Sequence, residues 1–279
     1  MPAPSIVDRY IIAARLKGYL AKPQDGIDLL TEALAGHPDD VRLLRFRGHR
    51  RISVRDYAGA VADLSRAAEL LHTIEDGHEL YQNQVEKDID RLLLGRDDEV
   101  RVQHLPLSAA ADDPDRELYM TTLHTSVWYH LGVALYLDGR MAEALDAFVQ
   151  AEATSYDVEG GVASLDWQYM ILRRLGRDDE AAQVLERFRA VESPEAPFEI
   201  GYLNRMRLYS GQMTADELRA AISDNPLELA TQGYGLGNWL LYNGRPDEAR
   251  EVFEGVIGTG ARYAFAYLAA ENELAAMAA

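Results

Sequence analysis

Cysteine is absent from the 279 residues. Disulfides, thiolate metal sites and cysteine nucleophiles are thereby excluded, while the compartment is left open. No apolar run reaches the roughly 18 residues a membrane span needs. The start, Met1-Pro2-Ala3-Pro4-Ser5-Ile6-Val7-Asp8-Arg9, lacks a basic stretch leading into an apolar one, so a soluble, cytoplasmic protein is expected. Positive charge is scarce: 28 Lys and Arg stand against 46 Asp and Glu, a net charge of −18, which disfavours nucleic acid and anionic membrane as partners. Aromatic residues make up only 9%, yet the hydrophobic share of 48% is enough for a large core.

Recognisable chemical motifs are scarce too. None of the seven histidines (His37, His49, His72, His78, His104, His124, His130) has another four residues away on one helix, so no metal site is expected. Gly233-Tyr234-Gly235-Leu236-Gly237 is glycine-rich, but no strand is predicted before it and a nucleotide fingerprint does not follow. No Ser, His and acid set carries a hydrolase signature. No cofactor is expected.

What is present is a spacing. A small or aromatic residue is followed after twelve positions by Ala or Gly, after four more by Leu or Phe, and after three more by Ala, Val or Phe. The sets are Ala14-Gly26-Leu30-Ala33, Gly48-Ala60-Leu64-Ala67, Gly132-Ala144-Phe148-Ala151, Tyr169-Ala181-Leu185-Phe188 and Gly237-Ala249-Phe253-Val256. Steps of four and three keep one helical face, and the step of twelve leaves room for a tight turn between two short helices. Gly139, Gly176, Gly211 and Gly244 fall seven residues after the close-packing position, where a left-handed helix end favours Gly. A unit of this kind cannot bury its own apolar face and must stack on neighbours.

This pattern resembles the tetratricopeptide repeat. Trp128, Leu131, Gly132, Leu135, Ala144, Phe148 and Ala151 fill most signature positions of one copy, and Pro38 sits where the family often closes a repeat. The strings RGHR, WYHLG and YGLGNW also resemble bacterial repeat proteins, a likeness that brings no activity with it. The resemblance implies a fold and a binding surface, not a reaction. The expected fold is all-α: one right-handed solenoid domain over 1–279, of about six helix-turn-helix repeats, with an insertion at 75–122 and a capping helix at 261–277. Within the insertion, Val85, Ile89, Leu92 and Leu93 recur at helical spacing, whereas 101–115 read as irregular.

Helical geometry assigns each first helix a face toward a concave groove. That face gathers Arg42, Arg45, His49, Tyr129, His130, Trp167, Arg173, Tyr202, Arg205, Tyr234, Asn238 and Tyr242, a basic and aromatic set on an acidic chain. Arg forks suit carboxylate or phosphate, and Tyr and Trp offer flat apolar area with a polar tip. The function expected is a scaffold holding an anionic peptide or protein segment. The alternative is a small-molecule binder or an acid-base enzyme, its pocket closed by 75–122, with His49, His130 and Asp166 as catalytic groups and Arg45 or Arg173 steadying an anion. The Lys and Asn clamp with which some members of the repeat family hold a terminal carboxylate has no counterpart, since the matching positions carry Ile11, Arg15, Arg45, Phe46, His49, Ser126 and His130. Arg47 and Arg51 fall on the packing row and need carboxylates, which Glu75, Asp76, Asp112 and Asp113 of the insertion are expected to supply.

Overall fold

A computed structural model describes residues 4–80, 82–191, 201–222 and 225–279, with positions 82, 83 and 201 described by backbone alone. Its contacts divide the chain into two compact units, Met1–Ala134 with Thr154–Tyr156, and Leu135–Ala153 with Asp157–Ala279.

The first unit opens with α1 (Ile6–Tyr19), α2 (Pro23–Gly36), α3 (Val41–Ser53) and α4 (Tyr57–Leu70). Their starts are written in the sequence. Ser5 and Asp8 close a reciprocal capping box on α1, Pro23 occupies the first turn of α2, and the Asp40 carboxylate accepts from the Arg42 and Leu43 amides at the head of α3. Each helix packs on the next, with Gly26 close to α1 and Gly48 close to α4. A Cβ built on Gly48 would sit 2.6 Å from Leu64 Cγ, so α3 and α4 can approach as they do only with glycine there. Ile11, Leu30, Leu43 and Phe46 meet in one apolar core.

The insertion follows as β1 (Gly77–Leu80), α5 (Gln82–Leu93), β2 (His104–Pro106), α6 (Leu107–Ala110) and β3 (Tyr119–Thr122), before α7 (Leu123–Leu137), whose last residues fall in the second unit. The strands form an antiparallel sheet in the order β2-β1-β3, pairing His78 with Leu105 and with Thr122. The helix expected around Val85 and Ile89 is α5; the strands are a departure from an all-helical reading. All four residues of β1 are buried, so it lacks the alternation that marks a half-buried strand, and the other two strands are no longer. Val85 and Val100 pack on Ile12 and seat the insertion on α1.

The second unit contains α8 (Met141–Ala153), α9 (Val158–Arg174), α10 (Asp178–Val191), α11 (Gly201–Tyr209), α12 (Ala215–Ala221), α13 (Pro226–Tyr242), α14 (Pro246–Gly258) and α15 (Phe265–Ala278). Helix α9 packs on α8, α10 and α11; α13 packs on α11, α14 and α15. Gly139, Gly176, Gly211 and Gly244 all have positive φ, between 70° and 80°. After three of them an arginine forks onto a glutamate three residues on: Arg140 with Glu143, Arg177 with Glu180 and Arg245 with Glu248. No described helix is long and apolar enough to cross a membrane.

Candidate functional site

The sequence-predicted residues divide between the units, and most meet partners inside the chain. In the first unit Arg42 pairs with Asp40 at 2.8 Å and approaches Asp8 at 3.6 Å. The Arg45 guanidinium, 6% exposed, donates to Glu79 Oε2 at 2.7 Å, and the same oxygen accepts from Ser126 Oγ at 2.8 Å. The His49 and His130 rings touch, centroids 4.5 Å apart, with Tyr129 edge-on to His130 at 5.9 Å. His130 Nδ1 donates to the Ser126 carbonyl at 2.6 Å, whereas His49 Nδ1 can only accept from Arg45 Nη1, at 3.5 Å.

In the second unit Trp167 is buried and stacked on Phe148, and Tyr234, Tyr136 and Asn238 close a hydrogen-bonded triangle. Arg173 pairs with Asp178 at 2.9 Å and lies 4.6 Å from the Tyr242 ring centroid. Arg205 pairs with Asp166 at 2.6 Å and covers the Tyr202 ring. Of the three groups considered for acid-base work, His49 and His130 lie together in the first unit, while Asp166 is paired with an arginine of the second.

Arg47 and Arg51 do find a carboxylate, but not in the insertion. Asp63 of α4 takes both, at 2.6 Å and 3.0 Å. The close α3–α4 contact at Gly48 already places that side chain beside them. Glu75 and Asp76 are occupied otherwise, accepting from the backbone amides of Ser108 and His124. The insertion is tied down by the other face of the helices, through Arg45 to Glu79 and through Arg15 Nη2 to the Leu80 carbonyl at 2.7 Å.

One cluster is not balanced. Among the described residues Arg15, 6% exposed, bonds only neutral groups: the Leu80 carbonyl, Gln103 Oε1 at 3.1 Å and the Tyr19 hydroxyl at 3.3 Å. The Phe46 ring carries both neighbours, with Arg45 Cζ 4.2 Å and Arg15 Cζ 5.6 Å from its centroid. Arg50 completes the set. Its stem passes Gly26, and its Cζ lies 2.6 Å from where a Cβ on Gly18 would stand. Its Nε is buried with no hydrogen-bond partner among the described residues, as are Nε of Arg45 and Oε1 of Glu79. Burial, with the charges of Arg45 and Arg15 beside it, pushes the Arg50 guanidinium down to about 10. Burial first, and then the charges of Arg50 and Arg45, hold His49 and His130 well below the usual imidazole range, so both rings are neutral near pH 7. Three guanidiniums thus gather where only one is paired with a carboxylate among the described residues, Arg45 with Glu79. The cluster opens at the end of α1, where Tyr19 is exposed and His49 and Arg50 are half-buried.

Sequence reasoning placed Arg45, His49 and His130 on one face and named Arg15 in passing. It missed Arg50, whose only sequence signal is its place in Arg45-Phe46-Arg47-Gly48-His49-Arg50-Arg51, and Glu79, which comes from a strand with no visible pattern.

Residues 116–158, which include α7 and α8, match a family model described as "Tetratricopeptide repeat". None of the curated proteins matches the chain. Among solved structures, a Podosopora anserina chain described as a putative kinesin light chain with nearly identical TPR-like repeats is 14% identical, over 90% of this chain and 92% of that one, with a TM-score of 0.42. A single-substitution form of that protein has the same identity and coverage and a TM-score of 0.43. The fold is a tetratricopeptide-like series of paired helices with a small three-stranded insertion.

Proposed function

We propose that the chain is a binding scaffold that holds an anionic segment of a protein partner at the arginine cluster of its first unit. The observation that supports this most is the uneven pairing of cations. Arg173, Arg174 and Arg205 of the second unit each have a carboxylate within the chain, at 2.9 Å, 2.6 Å and 2.6 Å. Arg15 and Arg50 of the first unit have none among the described residues. Keeping such groups together out of water costs free energy unless an anion joins them. In a chain of net charge −18, nonspecific attraction does not bring that anion. Helical repeats offer extended faces suited to protein segments, and His49, Tyr129 and His130 provide flat contact area beside the charges.

The test is fluorescence anisotropy with short labelled peptides of acidic, neutral and basic composition. Acidic peptides should bind, and Arg50→Gln should weaken them roughly tenfold or more, as loss of a charge-assisted hydrogen bond does. Arg140→Gln, at an exposed turn, should leave binding unchanged. Equal effects of the two substitutions, or binding regardless of peptide charge, would dispose of the proposal.

A further inference from the structure

We infer that Arg15, Arg45 and Arg50 bind the phosphoryl dianion of a phosphorylated peptide, with Glu79 Oε1 accepting a backbone N–H beside it. The inference rests on the anion-binding reading above and names the ligand group for that site.

The charge balance selects the dianion. Three guanidiniums against the Glu79 carboxylate leave two positive charges uncompensated, since His49 and His130 are neutral near pH 7. A carboxylate side chain would leave one of them standing. A phosphomonoester carries about −1.5 to −2 at that pH and balances the cluster. Its three terminal oxygens offer acceptors to more than one guanidinium, and guanidinium forks suit phosphate oxygens better than a point charge would.

The orphaned atoms say what surrounds the dianion. Arg45 is only 6% exposed, and its Nε has no acceptor, nor does the buried Nε of Arg50. Neither finds an oxygen among the described residues. Glu79 Oε1, equally buried, has no donor among the described residues. A phosphorylated residue in a peptide brings both: three acceptor oxygens on the phosphoryl group and a donor in a separate backbone N–H, whereas the one O–H of free hydrogenphosphate sits on the very group that the arginines hold. A phosphoinositide headgroup would bring a membrane surface against a chain of net charge −18, an unfavourable approach.

Gly18 is part of the same device. Any Cβ there would collide with the Arg50 guanidinium, yet Gly18 lies near the end of α1 and does not have the positive φ that alone would demand glycine. Its role is to leave room for a cation. Gly18→Ala therefore displaces the guanidinium while keeping the charge and improving the local helix propensity.

The experiment compares one short peptide carrying phosphoserine with its Asp and Ser counterparts, with inorganic phosphate and with phosphoinositide vesicles, by calorimetry and by thermal shift. The phosphoserine peptide should bind at least tenfold more tightly than the Asp peptide, inorganic phosphate should compete weakly, and the vesicles should not bind. Arg50→Gln should abolish the thermal shift given by the phosphopeptide while leaving the unliganded protein at least as stable, because a half-buried charge with no carboxylate beside it among the described residues has been removed. Gly18→Ala should reduce the affinity without loss of helical signal, which keeps the test decisive if Arg50→Gln folds poorly. Asp and phosphoserine peptides binding alike, both in an Arg50-dependent manner, overturns the dianion assignment and leaves the anion-binding scaffold intact. Vesicles or free phosphate binding more tightly than the peptide also overturns it. No binding of any anionic peptide removes both.

Discussion

Arg205 and Asp166 are 2.6 Å apart with side chains 1% and 0% exposed, a cation and an anion sealed inside the second unit. Arg205 also donates to the Thr231 carbonyl and to the Tyr209 hydroxyl, and its charge offsets part of the burial that raises the Asp166 carboxyl to about 6. Removing one member strands the other. Asp166→Leu or Arg205→Met alone should cost about 3–5 kcal/mol in urea unfolding, whereas the double variant should recover much of that loss. Additive losses would show that the two charges do not act as a pair.

The turn between the helices of each repeat supplies a second prediction. The position seven residues after the close-packing residue has positive φ in every repeat, including the two where the residue is not glycine: Ala21 at 57° and Arg55 at 66°. A left-handed conformation costs a residue with a Cβ about 1–2 kcal/mol, partly offset by glycine's greater freedom when unfolded. Ala21→Gly should therefore stabilise the chain by about 0.5–1 kcal/mol. A loss of stability would mean that the turn tolerates Ala21 without strain.

Those two turns also show what the sequence did and did not disclose. The helix pairs were legible because Gly48 with Leu64 and Gly237 with Phe253 keep a fixed distance along the chain, and close approach leaves glycine little alternative. The three strands were not, because a fully buried four-residue strand has no alternation to display. Candidate site residues were legible as a face but not as partners. Helical geometry put Arg45 and His49 on one side, yet that Glu79 would meet Arg45 depends on a strand 34 residues away. Arg50 was invisible for a different reason: its place is made by Gly18 on another helix, and nothing near Arg50 in the sequence records that.

Glycines of the two kinds should respond oppositely to a methyl group. Gly48→Ala puts a Cβ 2.6 Å from Leu64 Cγ and should cost about 1–3 kcal/mol through overpacking of α3 on α4. Gly255, inside α14, meets nothing within 4 Å, so Gly255→Ala should stabilise by about 0.5–1 kcal/mol through helix propensity. Chemical denaturation of the two variants decides it; the same sign for both would mean that the close approach of α3 and α4 is not what requires Gly48.

The last prediction concerns acid. Burial depresses His49 most, helped by Arg50, His130, Arg45 and Arg15; burial likewise depresses His130, helped by Arg45 and Arg50 and opposed by the Ser126 carbonyl. In the unfolded chain both take a proton near pH 6.5. Below that pH the unfolded state binds protons that the folded state refuses, so the stability present above about pH 6.5 falls as the solution is acidified, by up to about 1.4 kcal/mol per pH unit for each ring. His104, held down to about 4, adds in the same direction, while Asp166, raised to about 6, acts oppositely. The informative quantity is therefore a difference between proteins at matched pH. Urea unfolding of the natural chain and of His49→Gln between about pH 7 and about pH 5 should show a shallower acid loss in the variant, by most of one ring's share. Parallel curves would mean that His49 titrates freely in the folded chain, and with it the neutral state that leaves two arginine charges for a dianion would have to be given up.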